Sequence, residues 1–214
     1  MTLTCAPDYF PSAVFWAAAS HADRVELLMD APYVRQTRHN RARIRTPQGT
    51  QWLTVPVERG QDDIRLCAIR ISQEGAWWRQ HPKALRYNYG AAPYYEHFID
   101  ALTPRFNPEV TTLGDLSAGL IRAVADLLNL RIDIAPGTSR PRSRIPVIER
   151  HGARFGVDVS PIRYRQVFEG FEPDLCILDL LFNLGPRALD LLHDAAHLRP
   201  MPESLAAQHD SSSP

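Results

Sequence analysis

Arginine residues are concentrated in one stretch of the chain, YVRQTRHNRARIRTPQGTQWLTVPV at residues 33–57, and not one Asp or Glu occurs between residues 31 and 57. The guanidinium group presents a planar fork of donors that matches the oxygens of a carboxylate or a phosphate, so this stretch favours an anionic ligand. A solvated basic strand is the alternative interpretation. The predicted substrate-binding residues of the stretch are Arg35, Asn40, Arg41 and Arg43.

Two histidines are candidate general bases. His39 lies within the arginine cluster, whose positive charge would depress the imidazole pKa and leave the ring neutral, as a base requires. His81 follows Trp77 by one turn of a predicted helix. A hydrogen-bonded structural histidine is the alternative interpretation of His81. We predict both histidines as catalytic residues.

Cys5 is predicted at the point where a strand ends and a loop begins, a position at which a rigid element exposes a side chain. A thiol there could accept an acyl group from a thioester if a neighbouring His or Arg lowered its pKa. The alternative is a small buried apolar side chain, which is also our interpretation of Cys67 and Cys176. Cys5 is the third predicted catalytic residue.

Further polar residues are predicted to contact the substrate, namely Asp8, Tyr9, Tyr89 and Asp179. Asp179 lies in the apolar run ILDLLFN, so its carboxylate must be paired, most simply with one of the arginines. Asn183 lies four residues later and would share the same helix face.

The overall charge argues against nucleic acid as a partner. Lys and Arg together number 24, as do Asp and Glu, so the chain has no global basic field. The arginine cluster therefore indicates a local site. A length of 214 residues, of which 44% are hydrophobic and 22% charged, is typical of a globular domain with a substantial core.

Several chemistries are disfavoured because their motifs are missing. No phosphate-binding glycine loop, GxSxG sequence or metal-ligand spacing occurs, so we expect no metal and no cofactor. The three cysteines are far apart and form no CxxC pair. The apolar run at 13–19 is too short to span a bilayer and lacks the basic front of a signal peptide, so we expect a cytoplasmic protein without a membrane span.

The pattern of apolar residues predicts how the chain begins. A strand at 3–5, a helix at 13–21 capped by Ser12 and a strand at 24–29 follow one another as they do in α/β domains. The turn at 46–49 and the strand at 51–57 then complete a hairpin whose first arm is basic.

The later elements follow from the same periodicities. They are a strand at 64–71, helices at 76–90, at 94–102 and from 112 or 113 to 128, a short strand at 131–134, a loop at 136–146, a strand or turn at 164–168, and a helical segment at 174–193 broken by Gly185-Pro186. The whole set predicts an α/β fold in a single domain, with a mixed β-sheet, an arginine-rich hairpin and packed C-terminal helices.

Four segments of the chain resemble the WbqC-like protein family. CAPDYFPSAVFW resembles the HQPxYLPWLGFF start of that family, and the arginine stretch resembles its central run with IxTPQGxQWLTVPV. WWRQHPKALRYNYGAAPYYEHF resembles its W-x-x-H helix, and YRQVFEGFEPDLCILDLLFNLG resembles its closing signature. We therefore expect a WbqC-like domain at residues 1–199 and a disordered tail, rich in Ser, Pro, Ala and Gln, at 200–214.

The resemblance implies a biosynthetic context more than a reaction, since the family occurs in gene clusters for surface polysaccharides such as O-antigen and in other biosynthetic clusters. Two departures from the family concern the site. Cys5 and Ala6 stand where the family has His-Gln, and Cys176 stands where its closing motif has Ser. A role of that His or Gln is therefore not carried over to this chain.

The leading hypothesis is a transferase of polysaccharide or specialised-metabolite biosynthesis that moves an acyl or aminoacyl group from a thioester carrier to an amine. The arginine cluster would hold the acceptor's carboxylate or a phosphate of the donor. The partners would be a small-molecule substrate and an acyl or peptidyl carrier protein. A non-catalytic protein that binds an anionic intermediate is the alternative, and a sugar-modifying enzyme with His39 or His81 as its base is a third reading.

Overall fold

Two β-sheets and a set of helices form the part of the chain that the computed structural model describes, residues 1–137, 147–150 and 153–201. The strands are β1 (Thr2–Cys5), β2 (Arg24–Leu28), β3 (Arg41–Thr46), β4 (Gly49–Thr54), β5 (Asp133–Gly137), β6 (Val147–Arg150), β7 (Ala153–Val159) and β8 (Ala196–Pro200). The α-helices are α1 (Ala13–Ala19), α2 (Trp77–Tyr89), α3 (Tyr95–Leu102), α4 (Leu113–Leu127), α5 (Ile177–Leu184) and α6 (Arg187–Ala195).

The larger sheet is mixed, with the strand order β5-β2-β1-β6-β7-β8. β5, β2 and β1 are parallel, whereas β6, β7 and β8 extend the sheet in antiparallel pairs. Leu3 is in register with Val25 on one side and with Ile148 on the other, and all three side chains are buried. The prediction of an α/β fold with a mixed sheet is confirmed.

The first three elements form a β-α-β unit, because two parallel strands cannot be joined by a tight hairpin. α1 crosses from β1 to β2 and buries Phe15 and Trp16. It ends where the Ser20 hydroxyl donates to the carbonyl of Ala17 at 2.8 Å. The helix is therefore two residues shorter than predicted, and the loop of residues 6–12 lies at the carboxyl end of β1.

The smaller sheet is the predicted arginine-rich hairpin, formed by β3 and β4. Strand geometry places alternate residues on opposite faces. Ala42 and Ile44 therefore belong to the buried face, while the odd-numbered arginines of β3 belong to the other. Gly49 allows the tight turn, since its φ of 126° lies in a region that other residues rarely adopt. β4 ends at Thr54, three residues before the predicted end, because Pro56 cannot donate a ladder hydrogen bond.

The helices that follow the hairpin begin and end close to their predicted limits. α4 shows why, since its apolar stripe is buried and the Thr112 hydroxyl accepts a hydrogen bond from the backbone N–H of Asp115. α5 is buried on nearly all sides and packs against α3 and α6, which confirms the packed C-terminal helices. Within the described ranges, no helix has the length and apolar character needed to cross a membrane.

The strand predicted at 64–71 is wrong. The backbone N–H of Ala68 and that of Ile69 both donate to the carbonyl of Arg65, so the segment turns at this point. Arg65, Arg70 and Ile71 form only isolated bridges. Leu66 and Ile69 are buried within this turn, so the alternating apolar pattern came from a buried turn and not from a strand.

The carboxyl-terminal part of the large sheet differs from the prediction as well. The strand predicted at 131–134 is β5, which starts two residues later and extends into the predicted loop, and residues 138–146 of that loop lie outside the described ranges. β6, β7 and β8 were not predicted, and residues 164–168 form no strand. Pro200 ends β8, and most of the predicted tail, residues 202–214, is not among the described residues.

Two glycines of α4 test the close packing of that helix. A Cβ at Gly114 would lie 2.9 Å from the carbonyl oxygen of Leu66, whereas nothing lies within 4 Å of a Cβ at Gly119. We expect Gly114→Ala to lower the free energy of unfolding by about 1–3 kcal/mol, because backbone must move. Gly119→Ala should raise it by about 0.5–1 kcal/mol through helix propensity. Urea denaturation of both variants is the measurement, and equal effects would contradict the packing of α4 on residue 66.

Candidate functional site

Three segments converge at the carboxyl end of β1. Backbone hydrogen bonds connect the loop of residues 6–12 to the segment just before β3 and to the start of α5, from Tyr9 N to Arg38 O at 3.0 Å and from Ile177 N to Pro11 O at 3.1 Å. A third, from Cys176 N to Arg43 O at 2.8 Å, connects the hairpin to α5. We call the side chains that meet here the basic junction, which consists of Asp8, Arg38, Arg43, Trp52 and Asp174.

Two arginines of the basic junction share one carboxylate. Arg38 Nη2 lies 2.6 Å from Asp174 Oδ1, and Arg43 Nη1 lies 4.0 Å from Asp174 Oδ2. Arg43 also donates from Nε to the hydroxyl of Thr50 at 3.1 Å. The Arg38 guanidinium lies 5.9 Å from the centre of the Trp52 ring. Its Nη1 is buried and has no hydrogen-bond partner among the described residues, so part of its donor capacity is unused.

Asp8 is the acidic group of the basic junction with a pKa near neutrality. Burial raises the pKa of this carboxyl from 3.8 to about 6, although the positive charge of Arg38 lowers it by a smaller amount. Asp8 is therefore mostly ionised at neutral pH but can still accept and release a proton there. A pKa close to the working pH is what an efficient general base needs.

Cys5 is a half-buried free thiol next to Asp8. Burial raises its pKa well above the ordinary value, and the negative charge of Asp8 raises it further. A nucleophilic cysteine acts as the thiolate. The surroundings of Cys5 therefore oppose the activation that the sequence suggested, and the nucleophilic role stays a prediction without support from the geometry.

His81 is buried and holds the loop of residues 6–12 through Tyr9, whose hydroxyl lies 2.7 Å from His81 Nδ1. Burial lowers the pKa of His81 to about 4, against a smaller rise from a hydrogen bond to the backbone of Thr54. The ring is therefore neutral at physiological pH, and its two hydrogen-bond partners are the Tyr9 hydroxyl and the backbone of Thr54. The geometry favours a positioning role for His81, and its catalytic role stays a prediction.

His39 lies apart from His81, since no hydrogen bond or ring contact joins the two among the described residues. Its Nδ1 accepts a hydrogen bond from the backbone N–H of Val34 at 3.1 Å. Its pKa is lowered, as predicted, but the cause is burial and not the charge of the arginines. A neutral His39 remains compatible with a base.

The remaining residues of the stretch differ in their surroundings. Asn40 is buried, and its side-chain amide donates to Val55 O at 2.9 Å, which closes the open end of the hairpin. The charges of Arg35 and Arg41 act on the hydroxyl of Tyr33, whose pKa is nonetheless raised by burial. These three residues therefore do not join Arg38 and Arg43 in holding Asp174.

The expectation that Asp179 pairs with an arginine is wrong for the described residues. Its carboxylate instead accepts a hydrogen bond of 2.5 Å from the hydroxyl of Tyr164. The guanidinium of Arg45 donates to three backbone carbonyls and acts on Asp179 only through its charge. Burial raises the pKa of Asp179 overall. Tyr89 joins this buried cluster and accepts a hydrogen bond from the backbone N–H of Arg45 at 2.8 Å.

Sequence reasoning missed five residues of this region, of which Arg38 and Trp52 lie in the arginine stretch but were not predicted to contact the substrate. Tyr164 and Gln166 belong to the YRQVF segment, so the family resemblance contained a signal for them. Gln166 is buried and makes two hydrogen bonds to the backbone of Glu172, which shapes the irregular segment before α5. No sequence pattern identified Asp174. Its role depends on arginines that are distant in the chain, since 136 positions separate it from Arg38.

Backbone strain is concentrated around the basic junction. Among the described residues other than glycine, five have a positive φ, and three of these are Phe10, Gln36 and Asp174. Residues in this region of φ are held there by their surroundings, often at functional sites. Two surface cavities lie elsewhere, one lined by Asp190 and His193 and the other by Arg122. The basic junction lies at the surface, with the side chains of Asp174 and Trp52 exposed.

Comparison with known proteins gives a family and one distant relative. The sequence profile of the WbqC-like protein family matches residues 6–144. The chain is 30% identical over 220 residues to the uncharacterized protein Rv1507c of Mycobacterium tuberculosis, a match that covers 86% of this chain and 94% of the relative. No solved structure matches the chain significantly.

The raised pKa of Asp8 predicts that its ionised carboxylate lowers the free energy of unfolding at neutral pH. Because the pKa is about 6 in the folded protein against 3.8 ordinarily, the proton on Asp8 stabilises the fold below pH 3.8, and this stabilisation is lost as the pH rises through 6. Asp8→Asn should therefore raise the free energy of unfolding by about 1–3 kcal/mol above pH 6, with little change near pH 4. Urea denaturation across this pH range is the measurement, and a gain that does not depend on pH would contradict the assignment.

His81 should show the opposite dependence. Its pKa is about 4 in the folded protein against 6.5 ordinarily, so the stabilisation by the neutral ring is complete above pH 6.5 and is lost as the pH falls to about 4. The difference in stability between the wild type and His81→Gln should shrink by up to about 3 kcal/mol over that range. His193→Gln, which alters an exposed histidine, is the control for the loss of an imidazole, and a pH-dependent change confined to His81→Gln assigns the effect to His81.

Proposed function

The chain belongs to the WbqC-like protein family, and we propose that it is a cytoplasmic transferase of polysaccharide, O-antigen type, or of specialised-metabolite biosynthesis. In this proposal it transfers an acyl or aminoacyl group from a thioester on an acyl or peptidyl carrier protein to an amine. The observation that carries the proposal is the half-buried carboxyl of Asp8, with a pKa of about 6, beside the charge of Arg38. A proton acceptor and an anion-binding group then lie on one surface.

The chemistry of such a transfer requires a base. The amine nitrogen attacks the thioester carbon, a C–N bond forms, and the C–S bond breaks to release the carrier thiol. The attacking nitrogen must lose a proton, which Asp8 accepts and then passes to the departing sulfur or to solvent. A positioned general base contributes about 10²–10⁴-fold to a rate. The positive charge of Arg38 favours the carboxylate form of Asp8, against the larger effect of burial on its pKa.

Direct transfer is better supported than a covalent intermediate on Cys5. The pKa of the Cys5 thiol is raised by burial and by Asp8. A thiolate at that position would also place a second negative charge next to Asp8, which is unfavourable at neutral pH. In the direct route Cys5 fills space beside the loop of residues 6–12, and Tyr9 and His81 fix the loop that carries Asp8.

A non-catalytic protein that binds an anionic intermediate is the alternative function. Its support is that the basic junction lies at the surface, where the side chains of Asp174 and Trp52 are exposed. A surface with two arginines and a stacked tryptophan can hold an anion without excluding water from it. Enzymes that transfer acyl groups usually exclude water from the reacting thioester. Turnover therefore distinguishes the two functions.

The test of catalysis starts from the purified protein incubated with extracts of its own pathway, followed by metabolite profiling. We expect a product that boiled protein does not give. With that reaction, kcat/KM should rise as the pH increases through about 6, because Asp8 must be ionised. Asp8→Asn should lose this rise and about 10²–10⁴-fold of the rate. Asp190→Asn, which removes an exposed carboxylate from α6, is the matched control and should retain the wild-type profile.

The role of Cys5 is tested in the same assay. Cys5→Ala should retain most of the activity, and intact-protein mass spectrometry should find no acyl adduct on the wild type. An adduct on the peptide that contains Cys5, with loss of activity in Cys5→Ser, would replace direct transfer by the covalent route. A ligand that co-purifies unchanged, without turnover for any pairing of donor and acceptor, would instead support the non-catalytic binding function.

A further inference from the structure

Asp174 occupies an anion site that the protein builds on its own surface. One carboxylate oxygen faces Arg38 at 2.6 Å and the other faces Arg43 at 4.0 Å. The planar carboxylate thus bridges two guanidinium groups, one from the segment before β3 and one from β3 itself. A ligand with a carboxylate can make the same contacts.

The contact of Asp174 is suited to displacement. Its side chain is 61% exposed, and ion pairs at exposed positions contribute about 0–1 kcal/mol. Its φ of 63° is unusual for a residue with a Cβ, so its backbone is held in a strained conformation. A weakly held, exposed side chain can give way to a ligand at little cost.

The arginines, by contrast, keep other contacts when the carboxylate of Asp174 leaves them. Arg38 lies against Trp52 and donates to the backbone carbonyl of Asp174 at 3.3 Å, and Arg43 is fixed by its hydrogen bond to Thr50. Their side chains are only 24% and 28% exposed, which is low for residues at a surface. The two guanidinium groups are therefore positioned before a ligand arrives.

We propose that Arg38 and Arg43 bind the carboxylate of the acceptor, and that Asp174 occupies their guanidinium groups until the acceptor displaces it. This inference rests on the proposed transfer to an amine, and it identifies the acceptor class as amines that carry a carboxylate, such as amino acids. Binding the carboxylate at Arg38 places the rest of the acceptor on the same surface as Asp8, which accepts the proton from the amine.

A phosphate is a competing occupant that the charges disfavour. At neutral pH a phosphate monoester carries close to two negative charges. Asp8 is mostly ionised and acts on the same Arg38, so it repels a dianion more strongly than it repels a carboxylate.

The experiment measures binding through Trp52, which lies beside Arg38 and is 45% exposed. Propionate and inorganic phosphate are titrated separately at constant ionic strength and neutral pH, and tryptophan fluorescence is recorded. Asp174→Asn keeps the size of the side chain and removes its charge, and we expect it to bind propionate about fivefold more tightly than the wild type, the factor that corresponds to about 1 kcal/mol. Asp174→Gly, whose backbone tolerates this φ, provides a second variant that relieves the strain.

Two further variants make the result specific. Arg38→Ala in the Asp174→Asn background should lose propionate binding, and Trp52→Phe should lose the signal while an independent calorimetric titration still detects binding. Equal affinity of the wild type and both Asp174 variants for propionate would overturn the proposal, and so would tighter binding of phosphate than of propionate in those variants. Because no turnover is measured, this failure is distinct from failure of the Asp8 test, which concerns catalysis alone.

Discussion

The buried guanidinium of Arg45 connects the parts of the protein on which the candidate site depends. It is only 4% exposed, and it donates to the carbonyls of Thr46 and Gly49 in the hairpin turn and to that of Glu169 in the irregular segment before α5. A buried charge without such partners would cost several kcal/mol. The three carbonyls and the nearby carboxylate of Asp179 offset that cost, so hairpin and segment are held together as one surface.

This arrangement explains why arginines on the same face of β3 have different roles. The guanidinium of Arg45 donates to backbone carbonyls, that of Arg43 lies near the carboxylate of Asp174 at the surface, and Arg41 lies near Tyr33. Residue type and alternation predict which face the side chains share but not what covers that face. The covering segment is irregular and is shaped by Gln166, whose hydrogen bonds are not visible in any periodic pattern.

The sequence predicted the elements whose signals are local. The stripe and cap of α4, the turn at Gly49 and the pairing of β3 with β4 follow from patterns within a few residues. The chemistry of the site depends instead on contacts between distant segments, such as Asp174 with Arg38. The same limit applies to β6, β7 and β8, which are short and whose positions are set by their partners. Patterns alone also mistook the buried turn at Leu66 for part of a strand.

Charge balance limits what the basic junction can bind. At neutral pH its two arginines face two carboxylates, those of Asp8 and Asp174, while the raised pKa of Cys5 keeps its thiol uncharged. A ligand carboxylate in the place of Asp174 preserves that balance, whereas a dianion leaves an excess negative charge next to Asp8 and raises the pKa of Asp8 further. The more strongly an anion binds to Arg38, the less that arginine favours the ionised Asp8. A ligand with a single negative charge therefore permits both binding at Arg38 and proton transfer at Asp8.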